Sequence, residues 1–443
     1  MKDSASQNIT RRGAFRLIGA GLLSATAASP GAHAAQAPRR RASSPAGSLS
    51  PSDIGFLDDM QRAACLYFME QVDPASGQVL DRASNKTSTG KLDSRAAGSI
   101  AATGFGLSAL CIADKRAYAP SDVIRKQVLS TLNFHLNNMP HERGFFSHFN
   151  NIKTGQPLSW SEVSSIDTAI FLCGVLTARA YFNDSTITYL ATQLYNRVEW
   201  SWMLNGGDTF SMGWHPATGF LPLRWDHYCE LMMLYLLAIG SPTNPISPDH
   251  WNNFTRPRMR FDTFNYISGR DPLFVHQYSH AWFDFSGKRD AYANYFNNSV
   301  TATRAHKAWC LSLNRGYDDD YWGVSASDWA HGYTAWGGPP LMGPVDGSVV
   351  PAAAAGSLPF LPTECVRVLR SLKQKFGKDA WGRYGPCDSF HPDQLWYDPD
   401  VLGIDLGIGL LMAENLRSRF VWNTFMQNPE PVNAMNLCGF HTV

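Results

Sequence analysis

Trp225-Asp226-His227-Tyr228-Cys229-Glu230, running into Leu231-Met232-Met233-Leu234-Tyr235-Leu236-Leu237, sets two acids, a histidine and two aromatics at the mouth of an apolar segment. The Leu/Met run is apolar on every side, which predicts a buried helix over 228–239. Asp226 and Glu230 are four apart and on a helix would share a face. A carboxylate heading such a run is costly to bury without a partner. Burial also raises its pKa, which suits a proton donor. An ordinary helix start, with Asp226 capping the amides and both acids favoured by the dipole, explains the same residues. Glu230, past the first turn, is the harder of the two to explain that way.

The same alternation continues in both directions. Helices are predicted over 99–115, 120–138, 166–182 and 186–204, and again over 290–314, 362–376 and 405–426. An earlier one opens with Ser52 as cap, and Ile54, Leu57, Met60, Ala64, Tyr67 and Phe68 recur at helical spacing. Several runs are rich in Ala and Leu all round and should be covered on both faces. Polar, aromatic loops separate them. Residues 144–149 ahead of Asn150-Asn151, and 210–214 ahead of Pro216–Gly219, carry hairpin signals. The pattern of long helix, functional loop and long helix, repeated about six times, predicts an all-α toroid of paired helices with short β-hairpins and a cleft at one rim. No fixed-period repeat supports a solenoid.

Arg11-Arg12, an apolar run over 17–28 and then Ala32-His33-Ala34 read as a secretory leader. Residues 1–34 are expected to be a twin-arginine signal peptide and 35–51 a flexible linker. One domain, 52–443, follows, because no internal stretch has a linker's composition. The leader's apolar run is too short and interrupted to span a membrane. The mature chain is expected to be periplasmic or secreted, without membrane insertion, and monomeric. A net charge of +1 gives no electrostatic reason for a nucleic-acid partner. The eight cysteines form no CxxC pair and mostly sit in apolar runs, where Cys acts as a small hydrophobe. Neither a zinc site nor a disulfide framework is expected, although one bridge is compatible with an oxidising compartment.

Further constellations recur at helix mouths. In Ser161-Glu162-Val163-Ser164-Ser165-Ile166-Asp167, Ser164 or Ser165 can cap a helix. Glu162 is then left facing a cleft, and Asp167 sits in the first turn, where the dipole accounts for it. His276-Gln277-Tyr278-Ser279-His280-Ala281-Trp282 spaces two histidines four apart, but Gln277 replaces the glutamate a zincin needs and no third ligand is evident. Hydrogen bonding to a polar ligand or a neighbouring loop is expected there instead. Asp328-Trp329 and Trp336-Gly337-Gly338 lie in an aromatic, Gly/Pro-rich loop, as a saccharide site uses. Late in the chain come Asp388, Trp396, Asp398, Asp400 and Asp405. Asp398 and Asp400 flank Pro399 and can be turn formers, which leaves Asp388 and Asp405 as the better functional candidates. No nucleotide motif and no GxSxG elbow is present. Acids with aromatics point to carbohydrate chemistry without cofactor or metal. Glu230 is the expected acid and Asp405 the base, with Asp388 in reserve. Sugar contacts are expected from Asp226, His227, Tyr228, His276, Gln277, Tyr278, His280, Trp282, Asp328, Trp336 and Trp396. A glycan-binding protein without activity, or a polysaccharide lyase using Tyr278 and His280, stays open.

The stretches 161–169, 225–230, 274–284, 354–360 and 403–407, with Glu414-Asn415-Leu416-Arg417-Ser418, resemble the bacterial glucoamylase-like domain over nearly the whole mature chain. The resemblance implies an (α/α)6 toroid. It also implies kinship with endo-β-1,2-glucanases of glycoside hydrolase family 144 and neighbouring β-1,2-glucan-active families, some of them transglycosylases. Starch is not implied. Glu230 falls at the general-acid position, Glu162 at a cleft acid and Asp405 at a possible base, with inversion at the anomeric carbon. Ile404-Asp405-Leu406-Gly407-Ile408 departs from the Ile-Asp-Gln-Gly-Pro of many relatives, which bears on linkage and subsite specificity.

Overall fold

The computed structural model describes residues 49–269, 272–339 and 343–443. The leader and nearly all of the linker lie outside them. The chain is predominantly helical, with short antiparallel strand pairs in the loops. We label the main helices α1 (Pro51–Glu70), α2 (Ile100–Lys115), α3 (Ser121–Asn137), α4 (Ser165–Tyr181) and α5 (Ser185–Asn196). They continue as α6 (Met232–Ile239), α7 (Tyr295–Ser312), α8 (Pro351–Ala355), α9 (Pro362–Ala380) and α10 (Gly403–Ser418).

Two kinds of helix alternate. In α2, α4, α6, α8 and α10 nearly every residue is buried. The helices α1, α3, α5 and α9 bury one stripe and show the other face to water. Their sequences dictate this, since the first set is apolar nearly all round and the second carries a stripe of polar or charged residues on one side. Glycines let the buried helices meet backbone to backbone. A Cβ at Gly174 of α4 would stand 2.0 Å from the Gly104 carbonyl oxygen of α2, and one at Gly407 of α10 would stand 2.4 Å from the Phe105 ring. The helix α10 packs on both α1 and α2, so late and early segments of the chain join. Glu414 fixes that joint, accepting from Gln61 Nε2 at 2.8 Å and from Arg116 Nη2 at 2.8 Å.

Several boundaries differ from expectation for physical reasons. Ser50, not Ser52, caps α1, because Pro51 fits the first helical position and Asp53 completes a capping box with Ser50. The predicted 186–204 helix breaks after Asn196, where Arg197 turns to bond the His135 and Leu136 carbonyls. The predicted 405–426 helix is interrupted at Arg419, whose φ is 60°. The first helix predicted after residue 286 begins at Tyr295, since Asn294 caps it and Asp290 is taken by Trp251 Nε1 at 2.9 Å. Hairpin geometry is found at Gly213–His215 with Gly219–Phe220, as read. The strand Phe149–Asn151, by contrast, pairs mainly with Ala97–Ser99 rather than with its own neighbours. Among the described residues no disulfide forms between the eight cysteines, seven of which are buried. Among the described residues no helix is long and apolar enough to cross a membrane.

Short strands sit just ahead of the buried helices. Ala97–Ser99 leads into α2, Val163–Ser164 into α4 and Asp400–Leu402 into α10, while Arg224–Trp225 precedes the turn before α6. Hydrogen bonds from the helix starts to neighbouring loops (Ile100 N to His148 O, Ser165 N to Met212 O, Gly403 N to Asp81 O) tie these N-termini into the layer of short strands. The acids singled out in the sequence lie there.

Candidate active site

Glu162 precedes α4 and Glu230 precedes α6, while Asp405 lies in the first turn of α10 and Asp388 in the loop before it. All four are buried. Asp405 Oδ1 accepts from Tyr278 Oη at 3.3 Å, so the 278–281 turn and α10 meet at this carboxylate. Asp405 is the strongest neighbouring charge acting on Asp388. Burial first, and then the negative charge of Asp405, Asp328 and Asp398, holds the Asp388 carboxyl well above the usual carboxylate range. Asp388 Oδ2 also accepts the Asp328 backbone N–H at 2.8 Å. Arg82 ion-pairs with both Asp81 and Asp328. Asp398 is pushed up to about 7, chiefly by burial and then by Asp328. Its Oδ1 accepts the Asp400 N–H at 3.0 Å, so the expected turn role holds as well.

The Glu230 region corrects one expectation. Asp226 and Glu230 do not share a helix face, because α6 begins only at Met232. The intervening backbone is drawn out by bonds to neighbouring loops, Tyr228 N to Thr255 O and Gly269 N to Tyr228 O. Asp226 therefore does not cap α6. It faces His227 Nδ1 at 2.7 Å, with both side chains about two-fifths exposed at the rim. Glu230 is turned inward, and its carbonyl accepts from Ser279 Oγ at 2.7 Å.

Glu162 has a partner the sequence did not reveal. His148 places Nδ1 3.3 Å from Glu162 Oε1 and Nε2 3.6 Å from Asp167 Oδ1. Ser164 caps α4 and bonds Asp167, the structural role expected of that aspartate. No spacing rule connects position 148 to 162 and 167, or Arg82 to Asp328. The bridge between Ser147 and Val163 creates the first contact, and packing of separate rim strands creates the second. The groups His148–Glu162–Asp167 and Asp328–Asp388–Asp398 each have ligand-type atoms within 4.8 Å of one another, a spacing at which a cation could be held.

Several expected sugar contacts lie in the core. Trp282 packs on Phe105 and donates Nε1 to Ser108 Oγ at 2.9 Å. His280 is enclosed by Phe285 and Phe360 and bonds Ser299. Gln277 Nε2 is spent on the Ala353 carbonyl and Ser357 Oγ, a strut between loops. Trp336 is buried and donates Nε1 to Ser327 Oγ. These four pack and brace rather than face an open cleft. Their rings and amides are flanked by apolar helices that the local sequence does not show. Tyr228 and His276 are also buried, with Tyr228 Oη 3.4 Å from His276 Nδ1. Burial pushes His276 and His280 down to about 3, so both are neutral, and their rings face different partners rather than a shared ion. Asp328 and the half-buried Trp396, on a two-residue strand beside Phe390-His391, remain near the acid cluster or its loop.

Residues 222–429 match the Glycoamylase family model, described as "Putative glucoamylase". Over those residues, just under half of the chain, it is similar to the glucoamylase-like family. It is 27% identical over 424 residues to the exo beta-1,2-glucooligosaccharide sophorohydrolase (non-reducing end) of Parabacteroides distasonis, covering 86% of this chain and 57% of that protein. The chain thus spans well under two thirds of that curated relative. A crystal structure of a beta-1,2-glucanase from P. distasonis superposes with a TM-score of 0.79 at 25% identity, covering 87% of this chain and 60% of the other. The endo-beta-1,2-glucanase of Chitinophaga pinensis, in complex with sophorotriose and glucose, gives 0.81 at 24% identity, covering 89% and 99%. The fold is shared along nearly the whole described chain.

Proposed function

We propose that this chain is an exported glycoside hydrolase that cleaves β-1,2-glucan on the rim of an (α/α)6 toroid. One observation carries the reading: Glu162, Glu230, Asp388 and Asp405 are each buried, at or just ahead of the N-termini of the buried helices α4, α6 and α10. The similarity to a β-1,2-glucooligosaccharide sophorohydrolase supports the choice of linkage. Alternation of enclosed and one-sided helices, with α10 meeting α1 and α2, supports the closed ring.

Glu230 is the general acid, since a carboxyl turned into the apolar head of α6 favours its protonated form until it donates to the leaving oxygen. Asp405 is the base. Tyr278 orients it, and Asp388, held in the protonated form by burial and by the Asp405 charge, lies beside it. Asp405 then takes the proton of the attacking water. Inversion follows from the family likeness and requires about 6.5–9.5 Å between acid and base, against about 5–5.5 Å for retention. The lyase alternative loses its histidine, because His280 is enclosed in the core. Incubation with linear β-1,2-glucan and a panel of α- and β-glucans tests the reading. Shorter β-1,2-gluco-oligosaccharides are the expected products, and binding without product on any glycan would overturn it.

A further inference from the structure

Trp160 is 43% exposed, the one tryptophan among the exposed large hydrophobic side chains of the described residues. Single exposed apolar side chains are common and need no function. Trp160 differs in what stands behind it. Its ring leans on Phe149 with centroids 5.0 Å apart, and Phe149 lies nearly flat on His148 at 3.8 Å. His148 in turn meets Glu162 at 3.3 Å. A continuous stack of rings therefore runs from solvent to a buried acid of the candidate site. The loop is pinned on both sides of the tryptophan. Ser159 O lies 3.3 Å from His215 Nε2, Ser161 N bonds Leu158 O, and Ser161 Oγ accepts the Phe149 N–H at 2.8 Å.

A fixed, water-exposed indole face beside buried carboxylates suits a pyranose ring, whose C–H face packs on aromatic π density. We infer that Trp160 is a sugar-stacking platform, holding a glucosyl unit remote from the scissile bond and favouring longer chains over shorter ones. The inference rests on the glucan-hydrolase reading for the identity of the ligand. Two rings separate Trp160 from Glu162, so the unit it holds is not the one being cleaved. Loss of the platform therefore acts on binding more than on the chemical step.

The test compares Trp160→Ala, Trp160→Phe and, as a control on the outer helix α5, the exposed Tyr189→Ala, on β-1,2-gluco-oligosaccharides of increasing length. Trp160→Ala should raise KM about five- to tenfold for long chains and progressively less for short ones, with kcat changing less than twofold. Trp160→Phe should recover most of the loss, and Tyr189→Ala should change nothing. Calorimetric titration of the same variants with β-1,2-glucan reads binding without turnover. Trp160-dependent binding by a protein that cleaves no glycan would sink the hydrolase reading and leave the platform standing. Equal binding by wild type and Trp160→Ala, a KM shift independent of chain length, or no glucan binding at all would overturn the platform.

Discussion

Tyr278 Oη donates to Asp405 Oδ1 at 3.3 Å, joining the short turns after residue 272 to the first turn of α10. On the proposed mechanism this bond aims the base. Tyr278→Phe should keep the fold and lower kcat by about tenfold, in line with loss of one hydrogen bond to a charged group. Glu230→Gln and Asp405→Asn should each lower kcat by about 10²–10⁴-fold while circular dichroism and glucan binding persist. Glu230→Gln retaining more than roughly a tenth of the rate would remove it as the acid.

Stereochemistry gives an independent check. Proton NMR during the first turnovers should show release of the α-anomer from a β-linked glucan, as inversion requires. Initial β-anomer would assign retention.

The acid cluster predicts how stability changes with pH. Burial and the Asp328 charge push Asp398 up to about 7 in the folded chain, against 3.8 for an ordinary aspartate. The folded state therefore holds the proton more tightly, and stability falls as pH rises from about 4 toward 7. Asp398→Asn keeps the acceptor for the Asp400 N–H and removes that penalty. Its melting temperature should exceed that of the wild type at pH 8, match it near pH 4, and vary less between them. An equal loss at every pH would mean the carboxylate is needed for structure.

Two glycine substitutions should act in opposite directions. Gly55 of α1 is exposed with nothing within 4 Å of an added Cβ, so Gly55→Ala should stabilise by about 0.5–1 kcal/mol. Gly174→Ala would drive a methyl into the Gly104 carbonyl and should destabilise by more than about 3 kcal/mol. Urea denaturation reads both.

Export can be checked in cells. Lysine in place of Arg11 and Arg12 should leave the precursor in the cytoplasm. Normal export of that variant would favour the general secretory route.

Much of this was legible in the sequence, and the reasons are local. Helices such as α2 and α4 carry periodic or uniformly apolar runs, so their place in the core follows from composition. Acids at helix mouths stood out because carboxylates beside Leu and Met are costly. Contacts made by strand pairing in the loops were not legible. His148 reaches Glu162 only because the lead-in strands align, and Arg82 and Asp328 are 246 residues apart. The sugar-binding expectation failed for Trp282 and His280 because an aromatic or imidazole in a loop-like stretch looks the same whether the covering helix is near or far in sequence. Asp226 was misplaced since backbone bonds to Thr255 and Gly269, invisible locally, delay the start of α6 to Met232.

The clamp of Glu414 on Gln61 and Arg116 also governs the order of assembly. The faces that α1 and α2 present to α10 have no mate until residues 403–418 have left the ribosome. A nascent chain therefore spends most of its synthesis with apolar surface waiting for a segment some 300 residues away, the kind of non-local closure that slows folding and invites aggregation. Chaperone dependence during expression, and relief when synthesis is slowed by cooling, are the expected signs in the producing cell.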